Sequence, residues 1–166
     1  MKWQDIYDNP LFNDLPFKLE SDRWGHIVMS PASNQHSWLQ GEIAFLLRRY
    51  RQGGMVLPEC SIQTAQGVKV ADVVWAGKEF FRRNRFANPY PESPEIVVEV
   101  LSPSTSKEEM EEKKALYFEC GASEFWLCEK NGSIRFYGQD GSITVSRMVP
   151  DFPNQLKLPL SSTLSD

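Results

Sequence analysis

No stretch of this chain stays apolar for the roughly 20 residues that a helix needs to cross a bilayer. Its start, Met1-Lys2-Trp3-Gln4-Asp5, lacks the apolar centre of a secretion signal. Neither a membrane-spanning nor an exported protein is therefore expected. Cysteine is scarce: Cys60, Cys120 and Cys128 are odd in number, and none belongs to a CxxC pair. That argues against a disulfide framework or a zinc site and fits a reducing cytoplasm. Positive charge is not in surplus either. With 18 Lys and Arg against 22 Asp and Glu, the formal net charge is -4. Indiscriminate coating of nucleic acid, which depends on neutralising phosphates, is thus disfavoured, although a local basic surface remains compatible. There is no internal repeat and no low-complexity tract.

What is present suits one ordinary domain. The chain has 166 residues, 41% apolar and 24% charged. A single domain over 1–166, with its core at about 17–160, would bury about two thirds of the unfolded surface. Two short apolar runs, each interrupted by one carboxylate, organise the rest: residues 67–75 around Asp72, and residues 94–103 around Glu99. Side chains alternate along a strand. Asp72 therefore shares a face with Val68, Val70 and Val74, and Glu99 with Val97 and Leu101. The opposite faces are apolar too, which marks strands covered on both sides. A carboxylate in such a place is costly unless it is paired, protonated or bound to a metal. Two of them in neighbouring strands raise a metal site as one reading.

Elsewhere the pattern predicts mixed α/β structure. Two short strands flank Ser21-Asp22-Arg23, with Ile27-Val28-Met29 in the second and Pro31 ending it. Leu39, Ile43, Leu46, Leu47 and Tyr50 form a helical stripe over 37–51, closed by Gly53-Gly54. Met55 to Thr64 and the Asp72 strand read as a hairpin around Ala65-Gln66-Gly67. Between residues 77 and 94, Phe80, Phe81 and Phe86 interleave with Arg82, Arg83 and Arg85. That run either stacks bases and neutralises phosphates or is a helix turning its Phe side chains to the core. A second helix follows Ser102-Pro103-Ser104-Thr105, with capping-box spacing at Thr105/Glu108 or Ser106/Glu109 and Gly121 at its end. Three further strands are predicted at 124–129, 134–137 and 143–146. Asn131-Gly132 and Asp140-Gly141 are the turns between them, making a C-terminal β-meander. The tail from Pro150 is expected to pack as extended chain.

The segment Glu99-Val100-Leu101-Ser102-Pro103-Ser104-Thr105, followed by Lys113, Tyr117, Gly121 and Glu124-Phe125-Trp126-Leu127, closely resembles the Uma2 family (domain of unknown function 820). That family is placed in the PD-(D/E)XK superfamily of restriction-endonuclease-like folds. Residues 27–31, His36 and residues 70–75 agree with it, and the likeness runs from about Leu19 to Leu160. Ala71 stands where many members carry Pro, and Glu109 where Asp is more usual. The resemblance implies a mixed central sheet flanked by helices and a Mg²⁺-dependent endonuclease acting on DNA, with Mn²⁺ as a substitute metal.

In that chemistry Asp72 and Glu99 would hold the metal, which suits hard oxygen ligands, and a lysine would orient water and offset charge. The usual lysine position, two residues after the acid, is Leu101 here. Lys113 is the family's candidate instead. Glu42 from the first long helix would be an auxiliary acid, with Glu59 a weaker choice. His36 would cap a helix or touch substrate, Tyr117 would hold Lys113 or touch phosphate, and Arg82 and Arg83 would contact substrate. A homodimer would cut two strands. The bland readings are also specific. The acids could be satisfied by arginines or backbone donors, and Lys113 could pair with Glu109 on a solvated face. Lys114 would be solvated, and Phe125 and Trp126 would be core. A binding module without turnover and a purely structural protein are the two other functions this sequence allows.

Overall fold

A computed structural model of the chain describes residues 2–13, 15, 17–31, 33–103 and 105–159. The end of the tail, from 160 on, lies outside the described residues. A short helix α1 (Trp3–Tyr7) and a 3-10 turn (Pro10–Phe12) lead into strands β1 (Phe17–Ser21) and β2 (Ile27–Pro31). These two pair antiparallel as a separate ribbon. Helix α2 (Asn34–Tyr50) follows. It starts three residues before the apolar stripe predicts, because the Ser33 side chain caps it by accepting the His36 backbone N–H at 3.1 Å. The polar first turn, Asn34-Gln35-His36, carries no periodic signal.

Strands β3 (Gly54–Thr64) and β4 (Gly67–Gly77) form the expected hairpin. Gly67 turns it with φ +90°, and a Cβ there would stand 2.5 Å from the carbonyl oxygens of Ser21 and Asp22. Only glycine lets the end of β1 approach this closely. The Phe/Arg run forms helix α3 (Lys78–Asn84) with Phe80 buried, while Phe86 is exposed. Strand β5 (Ile96–Val100), helix α4 (Lys107–Glu119) and strand β6 (Glu124–Cys128) make a parallel crossover. Ser106 is the cap of α4, accepting from Glu109 N–H at 3.0 Å. Strands β7 (Ile134–Gly138) and β8 (Gly141–Ile143) complete the meander, β8 starting two residues before the predicted 143–146 and sharing only Ile143 with it.

The main sheet runs β3-β4-β5-β6-β7-β8, antiparallel except between β5 and β6. All residues of β5 and β6 are buried, which explains their unbroken apolar sequence. One face packs on α2 through Leu39, Ile43 and Leu47 against Val73, Ile96 and Val98. The other packs on α3 and α4 through Phe80, Met110 and Tyr117 against Val74 and Val97. Phe152 and Leu156 of the tail close the first face. No described helix is long and apolar enough to cross a membrane.

Glu124 shows how this fold tolerates a buried acid with no open site. Its carboxylate accepts from Trp126 Nε1 (2.8 Å), Ser146 Oγ (2.7 Å), and the backbone N–H groups of Arg147 (2.7 Å) and Met148 (2.9 Å). It thereby ties β6 to the loop after β8. Glu124→Ala leaves four donors without an acceptor and is expected to cost about 3 kcal/mol or more in urea unfolding.

Candidate functional site

The β4–β5 register pairs Val73 with Val98, Val74 with Val97 and Trp75 with Ile96. Asp72 and Glu99 are the next residues of the two strands, just past the Val73–Val98 pair. Both acids therefore point to the α4 face of the sheet, with Val74 and Val97, and both are almost fully buried. One oxygen of each is already held. Asp72 Oδ2 accepts the Val100 N–H at 2.7 Å, and Glu99 Oε1 accepts the Tyr117 hydroxyl at 2.7 Å. The other oxygens turn to a single cation. Lys18 Nζ lies 2.8 Å from Asp72 Oδ1 and 3.7 Å from Glu99 Oε2. His36 Nε2 is 3.2 Å from the same Asp72 oxygen.

Lys113 reaches the site from α4, one turn before Tyr117, on the buried side of that helix. Its shortest contact is 2.8 Å to Glu20 Oε1, with Glu99 Oε1 at 3.6 Å. Lys18 and Glu20 come from one face of β1, two residues apart. They are there because β4 is longer than β5. The N-terminal part of β4 has no β5 neighbour along that edge, and side chains of β1 fill in. Ser21 Oγ accepts the Val68 N–H at 2.8 Å and Glu20 Oε1 accepts the Val70 N–H at 2.9 Å.

The other neighbour of Asp72 is irregular. Pairing between β3 and β4 holds at Pro58–Val73 and Cys60–Ala71, but Glu59, which faces Asp72 in that register, has φ +51°. A positive φ at a residue with a Cβ is strained. Gln40 of α2 bridges the gap, donating to the Asp72 carbonyl at 3.0 Å and to Glu59 Oε1 at 2.8 Å.

The charges are set by competition between burial and pairing. Burial works to raise the Asp72 pKa, but the Lys18 ammonium and His36 overcome it and hold the carboxyl well below the usual range. For Glu99 burial wins over Lys113 and Lys18 and pushes the carboxyl up to about 7. Burial opposes the charge on both lysines. Glu99 and Asp72 outweigh it for Lys18, and Glu99 and Glu20 for Lys113, so both pKa values are raised. His36 is raised, first by its hydrogen bond to Asp72. Glu20 is lowered: burial opposes, but Lys113 and then Lys18 prevail.

Of the residues expected from the sequence, Asp72, Glu99, Lys113, Tyr117 and His36 come together here. Lys113 pairs with Glu20 and Glu99 rather than with Glu109, and Lys114 rests over the Tyr137 ring at 4.4 Å instead of standing in solvent. Glu59 lines the cleft at its rim. Glu42 does not line it: two residues past Gln40, it is turned about 200° around α2, away from Asp72. Arg82 and Arg83 are also elsewhere. They sit on α3 beyond the end of β4, roughly 17 Å along the strand from Asp72, and pair with Glu79 and Glu92. Lys18 and Glu20 are the residues sequence reading missed. The only signal was the Lys18-x-Glu20 alternation on a short strand, one charge after the other on one face.

The cleft is small, about 40 Å³, and Lys18, His36, Glu59, Asp72, Glu99 and Lys113 are among its walls. Among the described residues no group of three or more His, Cys, Asp and Glu forms a metal cage. A cage is not what Mg²⁺ requires, since it commonly takes one or two carboxylates plus water and phosphate oxygens. Asp72 Oδ1 and Glu99 Oε2, two hard donors already turned to one cation, fit it.

A family model named Uma2 and described as "Putative restriction endonuclease" matches residues 11–165. Among solved structures the fold is similar to a crystal structure from Anabaena variabilis described as "a putative nuclease belonging to DUF820". The TM-score is 0.74 and the identity 15%, covering 93% of this chain and 94% of that one. Among curated proteins nothing matches.

Two stability measurements follow from the ion pairs. Lys113→Met and Glu20→Gln should each cost about 3 kcal/mol in urea unfolding, since each strands a buried charge. The double variant should cost clearly less than the sum. Glu99 holds its proton more tightly in the folded protein, with a pKa of about 7 against 4.5 for the free side chain. Its contribution to stability is therefore full below about pH 4.5 and lost as the pH rises through about 7. Relative to wild type, Glu99→Gln should gain on the order of 3 kcal/mol across that window.

Proposed function

The chain belongs to the Uma2 family, and from that premise we propose that it is a divalent-metal-dependent nuclease hydrolysing phosphodiester bonds in DNA. One observation carries the reading. Two carboxylate oxygens from adjacent strands, Asp72 Oδ1 and Glu99 Oε2, turn to one cationic group in an open cleft. These two oxygens would hold Mg²⁺, or Mn²⁺ in its place. Such an ion, when bound, polarises a phosphate and lowers the pKa of attacking water.

The remaining residues prepare the pair. The Val100 N–H and the Tyr117 hydroxyl each fix one oxygen, which leaves the other oriented to the cleft. His36 and Lys18 keep Asp72 ionised. The amines of Lys18 and Lys113 place positive charge beside the position of the scissile phosphate, where charge grows during hydrolysis. Glu59 at the rim and Glu42 on the far side of α2 have no part in this scheme, nor have Arg82 and Arg83. A homodimer would present two such sites, one for each strand.

A second reading, a nucleic-acid or protein binding module without turnover, draws on the same ion pairs. Lys18 and Lys113 already neutralise the acids, so the site is stable without metal. Mn²⁺ titration by calorimetry and cleavage of plasmid DNA separate the two. The nuclease reading expects Mn²⁺ binding and cleavage by wild type, both reduced on the order of a hundredfold or more in Asp72→Asn. Metal binding unchanged by that substitution, or none in wild type, defeats it.

A further inference from the structure

The two lysines of the site are not equivalent. Lys113 is locked: its ammonium bonds Glu20, whose carboxylate is in turn held by the Val70 N–H. Lys18 instead contacts Asp72 Oδ1, which it shares with His36 Nε2, and Glu99 Oε2, and it does so from the ribbon β1–β2, outside the main sheet. Its stem is a flexible chain of four carbons, and its side chain is 13% exposed where that of Lys113 is 8% exposed.

Resting on the nuclease reading, we infer that Lys18 is the movable cation of the site. Its ammonium occupies the meeting point of Asp72 Oδ1 and Glu99 Oε2 in the metal-free protein, gives way to the divalent ion, and takes a phosphate oxygen of the substrate as its new partner. The two cations would share ligands. A divalent ion held by Asp72 Oδ1 and Glu99 Oε2 would need the same two oxygens that the Lys18 ammonium now contacts at 2.8 and 3.7 Å. Two cations so close repel, and the one on a flexible stem yields. The displaced ammonium stays at the cleft wall, where an anionic phosphate can replace the lost carboxylates. Lys113, tied to Glu20, keeps Glu99 in position and does not move. A fixed lysine that orients water makes the opposite demand, since it has no reason to compete with the metal.

The test reads metal affinity and cleavage separately. Mn²⁺ is titrated by calorimetry at pH 8.5 into the full chain, wild type, Lys18→Met and Lys18→Arg, with folding checked by circular dichroism. Lys18→Met removes the competitor and should tighten Mn²⁺ binding about tenfold. It should also slow plasmid cleavage at saturating Mn²⁺ about a hundredfold, because the phosphate contact is gone. Lys18→Arg, whose fork can hold both carboxylates at once, should weaken Mn²⁺ binding. A merely structural lysine would lower affinity and rate together in Lys18→Met, and that result overturns the inference. So does unchanged affinity, or tighter binding with undiminished cleavage. If Lys18→Met does not fold, Lys18→Arg decides: Mn²⁺ affinity equal to or above wild type overturns the inference. Wild type that binds Mn²⁺ yet cleaves no nucleic acid removes the nuclease reading and with it the phosphate contact, while the affinities still decide the competition. Absence of Mn²⁺ binding by wild type removes both.

Discussion

Three carboxylates and two ammonium groups share one buried volume in this protein, and the rest of the site is arranged to make that tolerable. A lone ion in such surroundings costs several kcal/mol. Here Asp72, Glu99 and Glu20 alternate with Lys18 and Lys113, so every charge has an opposite neighbour within 4 Å. That alternation recruits three elements to the middle of the sheet. Helix α4 brings Lys113 and Tyr117, the ribbon β1–β2 brings Lys18 and Glu20, and α2 brings His36 and Gln40. The ribbon also covers backbone donors of β4 that β5 is too short to reach.

Glu124 is an instructive contrast. It is as buried as Asp72 and Glu99, yet its oxygens are filled by four donors and it does not line the cleft. Burial of an acid is therefore not what distinguishes a site. What distinguishes Asp72 and Glu99 is that each keeps one oxygen free of backbone and hydroxyl donors, with the two free oxygens aimed at the same point. The strained backbone at Glu59 and the substitution of Gln40 for a ladder hydrogen bond fall beside that point. Strained backbone of this kind clusters at active sites and ligand clamps in proteins generally.

Much of the site was legible because its residues interrupt strong patterns. Asp72 and Glu99 break apolar strands, and Lys113 and Tyr117 share a helix face at i, i+4. His36 stands where the first long helix begins. The residues misread were those on helices whose rotation about the axis, or whose distance from the sheet centre, could not be judged from spacing. Glu42 lies on the right helix but the wrong side of it. Arg82 and Arg83 belong to a helix at the far end of β4, where acidic neighbours pair with them. Lys18 and Glu20 went unnoticed for another reason. A five-residue strand with two charges has the look of a solvated edge, and only its docking against β4 buries them.

By itself the sequence determined the order of elements from β1 onward apart from α3, together with the hairpins and the crossover helix, because hydrophobic periodicity and turn chemistry are local properties; it did not foresee α1. Tertiary structure decided which cation answers those acids. A side chain's partner across the fold depends on how separate elements stack and on which backbone edges are left open. Residues 18 and 72 are far apart in the chain, and nothing in the spacing between them records that an ammonium from β1 meets a carboxylate from β4.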